Sequence, residues 1–72
     1  MRILPPRGKA LTQAEHRVLA LLSEGLSPRQ IAERLVLSYN TVRGQIQSAY
    51  AKLDAHNAVS AVNKWRELYK GS

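Results

Sequence analysis

Cysteine is missing from the 72 residues altogether. Neither a disulfide framework nor a thiolate metal site can therefore brace the chain, and its stability must come from apolar packing and helix caps. Long apolar runs are missing too: the longest, Val18 to Leu22, falls far short of the ~20 residues of a membrane span, and the N-terminus has no signal-peptide core. A soluble, cytoplasmic chain without a membrane partner is expected. Histidine occurs only at His16 and His56, far apart and without an acidic pair at ligand spacing, so no metal site is expected. Both side chains are expected in solvent. A glycine-rich phosphate loop and a nucleophile with a recognisable partner are also absent, so the sequence supports neither an enzyme nor a cofactor site. With one Trp and three Tyr, it offers no evident stacking platform for single strands. Acidic residues are scarce as well, five against eleven Lys and Arg, and the net charge of +6 favours a polyanionic partner.

What is present is a set of helix signals within a single small domain. Residues 1–10, MRILPPRGKA, mix Pro, Gly and basic residues and read as an extended basic arm, one that can reach a phosphate or a minor groove. Thr12 and Glu15 form a capping box for a first helix over 13–24, with Leu11, Val18, Leu19, Leu22 and Leu26 as its apolar face and Gly25 ending it in the left-handed conformation. Ser27, Pro28 and Gln30 start a second helix, which carries Ile31, Ala32 and Leu35 on a narrow stripe and stops near Leu35. Ser38 caps a third helix, whose buried face is Val42, Ile46, Ala49 and Leu53. Asn57 caps a fourth, with Ala58, Ala61, Val62, Trp65, Leu68 and Tyr69 inward and Ser60, Asn63, Lys64 and Glu67 outward. The domain is thus expected over 11–69, followed by a tail at 70–72. The turn between the second and third helices is too short for an antiparallel pair, which is how a helix-turn-helix reads in sequence.

At about 100° per residue, the face of the third helix opposite its core stripe carries Asn40, Arg43, Gly44 and Gln47. Arginine bonds bidentately to guanine, and Asn and Gln do so to adenine, so this face suits a major groove. Gly44 is its odd member, because a mid-helix glycine costs about 1 kcal/mol relative to alanine; close approach to DNA would give it a purpose. Arg29 and Lys52 are placed to contact flanking phosphates. Ser38 and Tyr39, at the start of the helix, join the candidate contacts. Tyr50 is expected partly buried against the first or fourth helix, and Trp65 is expected to anchor the core.

The order Leu11-Thr12-x-x-Glu15, Val18-Leu19, Leu22, Gly25-Leu26-Ser27, Ile31-Ala32-Glu33-Arg34-Leu35, Ser38, Thr41-Val42 and Lys52-Leu53 resembles the LuxR/GerE-type DNA-binding domain. The resemblance covers roughly residues 10–69. Asn40-Thr41-Val42, Ser48-Ala49-Tyr50 and Ala61-Val62 are similar to the subgroup at the C-termini of large MalT-like regulators. It implies an all-α fold, a four-helix LuxR-type helix-turn-helix bundle in which the fourth helix often mediates dimerisation. It also implies base contacts from Arg43, Gly44 and Gln47, and backbone contacts from Thr41, Gln45, Lys52 and Arg29. Against the family pattern, Gln45 stands where histidine is frequent, Gly44 where a side chain is usual, Ala58 where arginine is common, and Asp54 where glycine is frequent.

The expected function is a stand-alone, sequence-specific regulator of transcription that binds double-stranded DNA. Because the outer face of the fourth helix is polar, a monomer or weak homodimer is expected in isolation, pairing on DNA where two half-sites impose proximity. Two other readings share the same pattern. One is a small interaction module that binds another regulator or RNA polymerase; the other is a domain like region four of a sigma factor, against which the capped fourth helix argues.

Overall fold

The computed structural model describes residues 10–69 of the chain. Four helices follow one another: α1 (Gln13–Ser23), α2 (Pro28–Leu35), α3 (Tyr39–Leu53) and α4 (Ala58–Tyr69). No strand occurs among the described residues, and the fold is the all-α, four-helix arrangement the sequence predicts. The arm assigned to 1–10, apart from Ala10, and the tail at 70–72 lie outside the described residues.

Every helix starts where a side chain can accept from an amide that the helix itself leaves unpaired. Thr12 Oγ1 accepts from the Glu15 amide at 3.1 Å, while Glu15 Oε1 accepts from the Thr12 amide at 2.9 Å. Ser27 and Gln30 repeat this reciprocal pattern at 3.2 and 2.8 Å, with Pro28 in the first turn. Ser38 Oγ accepts from the Thr41 amide at 3.1 Å, and Asn57 Oδ1 from the Ser60 amide at 2.8 Å. All four caps are the ones the sequence names.

The ends of α1, α2 and α3 share one hydrogen-bond pattern, in which an amide reaches back five residues around a left-handed residue. Leu26 donates to the Leu21 carbonyl around Gly25, Leu37 to Ala32 around Val36, and Ala55 to Tyr50 around Asp54. The central residues have φ of +95°, +59° and +56°. Only Gly25 takes this conformation without a steric penalty. Val36 is the most strained of the three, because its branched Cβ sits against the backbone while its side chain remains 87% exposed and packs on little. Substituting Val36→Gly should therefore stabilise the domain by about 1 kcal/mol, the relief of the left-handed strain exceeding the added entropy of the unfolded chain. A rise in the urea midpoint at unchanged slope is the expected result.

The helices enclose two adjoining apolar clusters. Val18, Leu21, Ile31, Ala32, Val42 and Ile46 join α1, α2 and the first half of α3. Leu11, Leu19, Ala49, Leu53, Ala55 and Ala61 join α1, the second half of α3 and α4. Leu22 and Tyr50 pack on both clusters and form the seam between them. The two helices of the turn motif are thus fixed against α1, and all four expected core positions of α3 are buried.

Helix α4 departs from its expected faces in three places. Tyr69, expected inward, is 37% exposed, and Val59, assigned to neither face, is 72% exposed. Lys64 and Ser60 are half-buried rather than outward, and Lys64 Nζ donates to the Asp54 carbonyl at 2.6 Å, where a cation meets the negative end of α3. Trp65 anchors the second cluster as expected, but its indole Nε1 donates to His16 Nδ1 at 3.0 Å. His16, expected in solvent, instead clasps α4 to α1 and meets the Tyr69 ring edge-on at a centroid distance of 4.7 Å.

Candidate nucleic-acid interface

With Val42, Ile46, Ala49 and Leu53 buried, the opposite side of α3 is fixed by helical geometry, and Asn40, Arg43, Gly44 and Gln47 are all exposed there. They form a polar row along the first half of the helix. Thr41 is exposed beside them, and its hydroxyl accepts from Ser38 Oγ at 2.8 Å. Both hydroxyls belong to the N-terminal cap of α3 and hold its first turn.

Arg29, exposed in the first turn of α2, brings its guanidinium to 4.6 Å from the centroid of the Tyr39 ring. Arg43, one helical turn after Tyr39, places its own guanidinium 5.9 Å from the same centroid. Both distances lie within the range at which a cation is attracted to an aromatic face. Among the described residues, neither guanidinium pairs with a carboxylate. The sequence reading chose these three residues separately and missed their association. The Tyr39 to Arg43 half was legible, since residues four apart share a helix face, whereas the Arg29 half depends on how α2 sits against α3.

Two other candidates turn inward. Gln45 is half-buried, and its Oε1 is buried without a hydrogen-bond partner among the described residues. Lys52, expected at a phosphate, holds Glu15 instead: its Nζ lies 2.8 Å from Glu15 Oε1 and also donates to the Ala10 carbonyl at 3.4 Å. With only 19% of its side chain exposed, Lys52 is a structural cation. This pairing has a simple cause, since Ser48 and Lys52 are one turn apart on α3 and both face α1. Ser48 Oγ donates to Glu15 Oε2 at 2.6 Å. Burial of the Glu15 carboxyl by itself favours the neutral acid, but hydrogen bonds from Lys52, Ser48 and the Thr12 amide outweigh it and hold the group below the usual carboxylate range. At the seam of the core, burial pushes the Tyr50 phenol up.

Gly44 lies on the exposed face, and a Cβ built there meets nothing within 4 Å. The domain itself gives no reason for glycine. Gly44→Ala should raise stability by about 0.5–1 kcal/mol through helix propensity alone, measured by urea unfolding. If the α3 backbone approaches DNA closely at this point, the same substitution weakens binding while it strengthens the fold.

The matching of known proteins follows this geometry. The profile of the family described as "Bacterial regulatory proteins, luxR family" matches residues 9–64. The chain belongs to the LuxR family. Among its relatives is the DNA-binding transcriptional activator DevR/DosR of Mycobacterium tuberculosis, 41% identical over 51 residues, a match covering 71% of this chain and 24% of that protein. The transcriptional regulatory protein DesR of Bacillus subtilis is 31% identical over 67 residues, covering 93% of this chain and 34% of DesR. The crystal structure of the response regulator ChrA, from a heme-sensing two-component system, superposes with a TM-score of 0.79 at 36% identity, over 82% of this chain and 29% of that one. The relatives are much longer: the chain spans 7% of a Mycobacterium bovis relative that carries an HTH-type regulator name, at 43% identity over 61 residues. The LuxR-family match thus runs from just before the α1 cap into α4, and it includes the whole exposed row of α3.

Proposed function

We propose that this LuxR-family domain binds double-stranded DNA sequence-specifically and regulates transcription, laying the first half of α3 in the major groove. The observation that carries the reading is the exposed row Asn40, Arg43, Gly44 and Gln47 on a helix whose other face is locked into the core. Arg43, Asn40 and Gln47 take the base edges, Gly44 admits the groove wall, and Arg29, Thr41 and Ser38 lie toward the phosphates. Lys52, whose ammonium is held by Glu15, is left out of this proposed contact set. Within the unit 11–69 no further cofactor is needed for this chemistry, and the cytoplasm is where it would operate. Asn63, Arg66 and Glu67 leave the outer face of α4 largely polar, which supports a single chain in solution and pairing on DNA across two half-sites.

Enrichment of a defined sequence from a random duplex pool, with affinity falling steeply as salt rises, is the expected result. Paired half-sites in the enriched sequence would report dimeric binding. A second reading, docking onto another regulator or RNA polymerase, is favoured by one observation: Val36 and Leu37, at 87% and 39% exposure, make an apolar tip on the turn before α3. Absence of duplex binding at low salt would decide for it.

A further inference from the structure

Tyr39 is the one candidate whose part in DNA binding the helix faces leave undefined. It is half-buried as the first residue of α3, directly after the Ser38 cap, so its backbone is fixed and its ring has limited freedom. Two cations from different helices converge on that ring. Arg29 comes from α2 at 4.6 Å and Arg43 from the next turn of α3 at 5.9 Å. Like charges brought together on the surface repel each other, and long arginine side chains lose considerable rotamer entropy when held. An aromatic face offsets both effects, since its quadrupole attracts each guanidinium and its plane limits their directions.

We propose that Tyr39 is a positioning residue that binds Arg29 and Arg43 into one preorganised anion-binding unit, coupling a phosphate contact from α2 to the groove contact from α3. The inference rests on the DNA-binding reading above and adds to it a specific dependence between the two arginines. Without the ring, each guanidinium must be ordered anew when DNA binds, and that ordering weakens association. With it, the backbone contact that sets the height of the domain on the duplex also sets the direction from which Arg43 enters the groove. Since the ring face and not the hydroxyl carries this role, phenylalanine should replace tyrosine and an aliphatic residue should not.

The test measures affinity for the enriched duplex across a salt series, for the 72-residue chain and its Tyr39→Phe and Tyr39→Leu variants, each also combined with Arg43→Ala. Tyr39→Phe is expected within about twofold of the parent, and Tyr39→Leu weaker by about three- to tenfold. In the Arg43→Ala background the Tyr39→Leu effect should shrink to the part that acts through Arg29, because the ring and Arg43 act as a unit. Melting temperatures check that the variants fold alike. In the free chain, the Arg29 and Arg43 side-chain protons should show ring-current shifts that Phe keeps and Leu removes. Equal affinity of Tyr39→Leu and the parent, full additivity with Arg43→Ala, or an equal loss with Phe would each overturn the proposal. If the parent chain bound no duplex, the DNA reading would fail first and this inference with it, whatever the ring-current shifts show.

Discussion

Glu15→Ala should cost this domain about 2–4 kcal/mol, the largest loss from any single polar substitution in it. The carboxylate has three partners from two elements, the Thr12 amide, Ser48 Oγ and Lys52 Nζ, at 2.9, 2.6 and 2.8 Å. Alanine removes the return half of the α1 capping box and leaves the largely buried Lys52 ammonium without its counter-charge. Removal of one member of a buried pair costs about 3–5 kcal/mol, less where part of the cation is still hydrated, as here, and the lost cap contributes to the same total. Against a total stability of roughly 4–11 kcal/mol for a chain of this length, the variant should unfold at a much lower urea concentration. Glu15→Gln keeps an acceptor for the Thr12 amide and should lose less.

The same group sets a pH dependence. Because the Glu15 carboxyl lies below its ordinary range in the fold, the unfolded chain takes up its proton first as pH falls. Its contribution is therefore complete above the unfolded value of about 4.3 and is lost as pH drops through the lowered folded value. Wild type should lose stability relative to Glu15→Gln as pH falls through the ordinary carboxylate range and below it, measured by urea unfolding at several pH values. Parallel curves for the two proteins would falsify the assignment of this acid sensitivity to Glu15.

Arg43→Ala should leave the fold intact and weaken binding to the enriched duplex by about 1–3 kcal/mol, the range of a good bidentate contact to a base. The side chain is exposed and, among the described residues, lies near the Tyr39 ring outside the buried clusters, so no core packing is lost. Selectivity should relax at one base pair while preferences elsewhere in the site persist. A phosphate contact would behave differently, weakening all sequences alike and lowering the salt slope by about one ion. Competition against duplexes substituted one pair at a time separates these outcomes. Unchanged affinity for every duplex would remove Arg43 from the contact set.

The features legible in the sequence are those that local chemistry decides. Ser, Thr and Asn side chains are short enough to reach amides in their own first turn, so all four caps could be named from spacing alone. Period also sufficed for α3, where a stripe of Val42, Ile46, Ala49 and Leu53 implies the opposite row of Asn40, Arg43, Gly44 and Gln47. Helix ends were less legible. Gly25 announces its left-handed turn, while Asp54 signals it only weakly and Val36 not at all, yet both adopt the same conformation. Polar contacts between elements were the least legible. Lys52 reads as a surface cation until Glu15 is seen facing it, and His16 reads as solvated until Trp65 arrives from forty-nine residues away in the chain.

The position of Ser48 and Lys52 has a consequence for retargeting. Residues that would address DNA and residues that hold α3 to α1 occupy different edges of one helix, so the address is physically separable from the mounting. Asn40, Arg43, Gly44 and Gln47 can be exchanged as a cassette for the corresponding residues of another reader, while Ser48, Lys52 and the buried stripe keep the tilt of the helix constant. If the proposed DNA reading holds, the domain works as a plug-in reader, whose address can be rewritten while the Glu15 mounting stays in place.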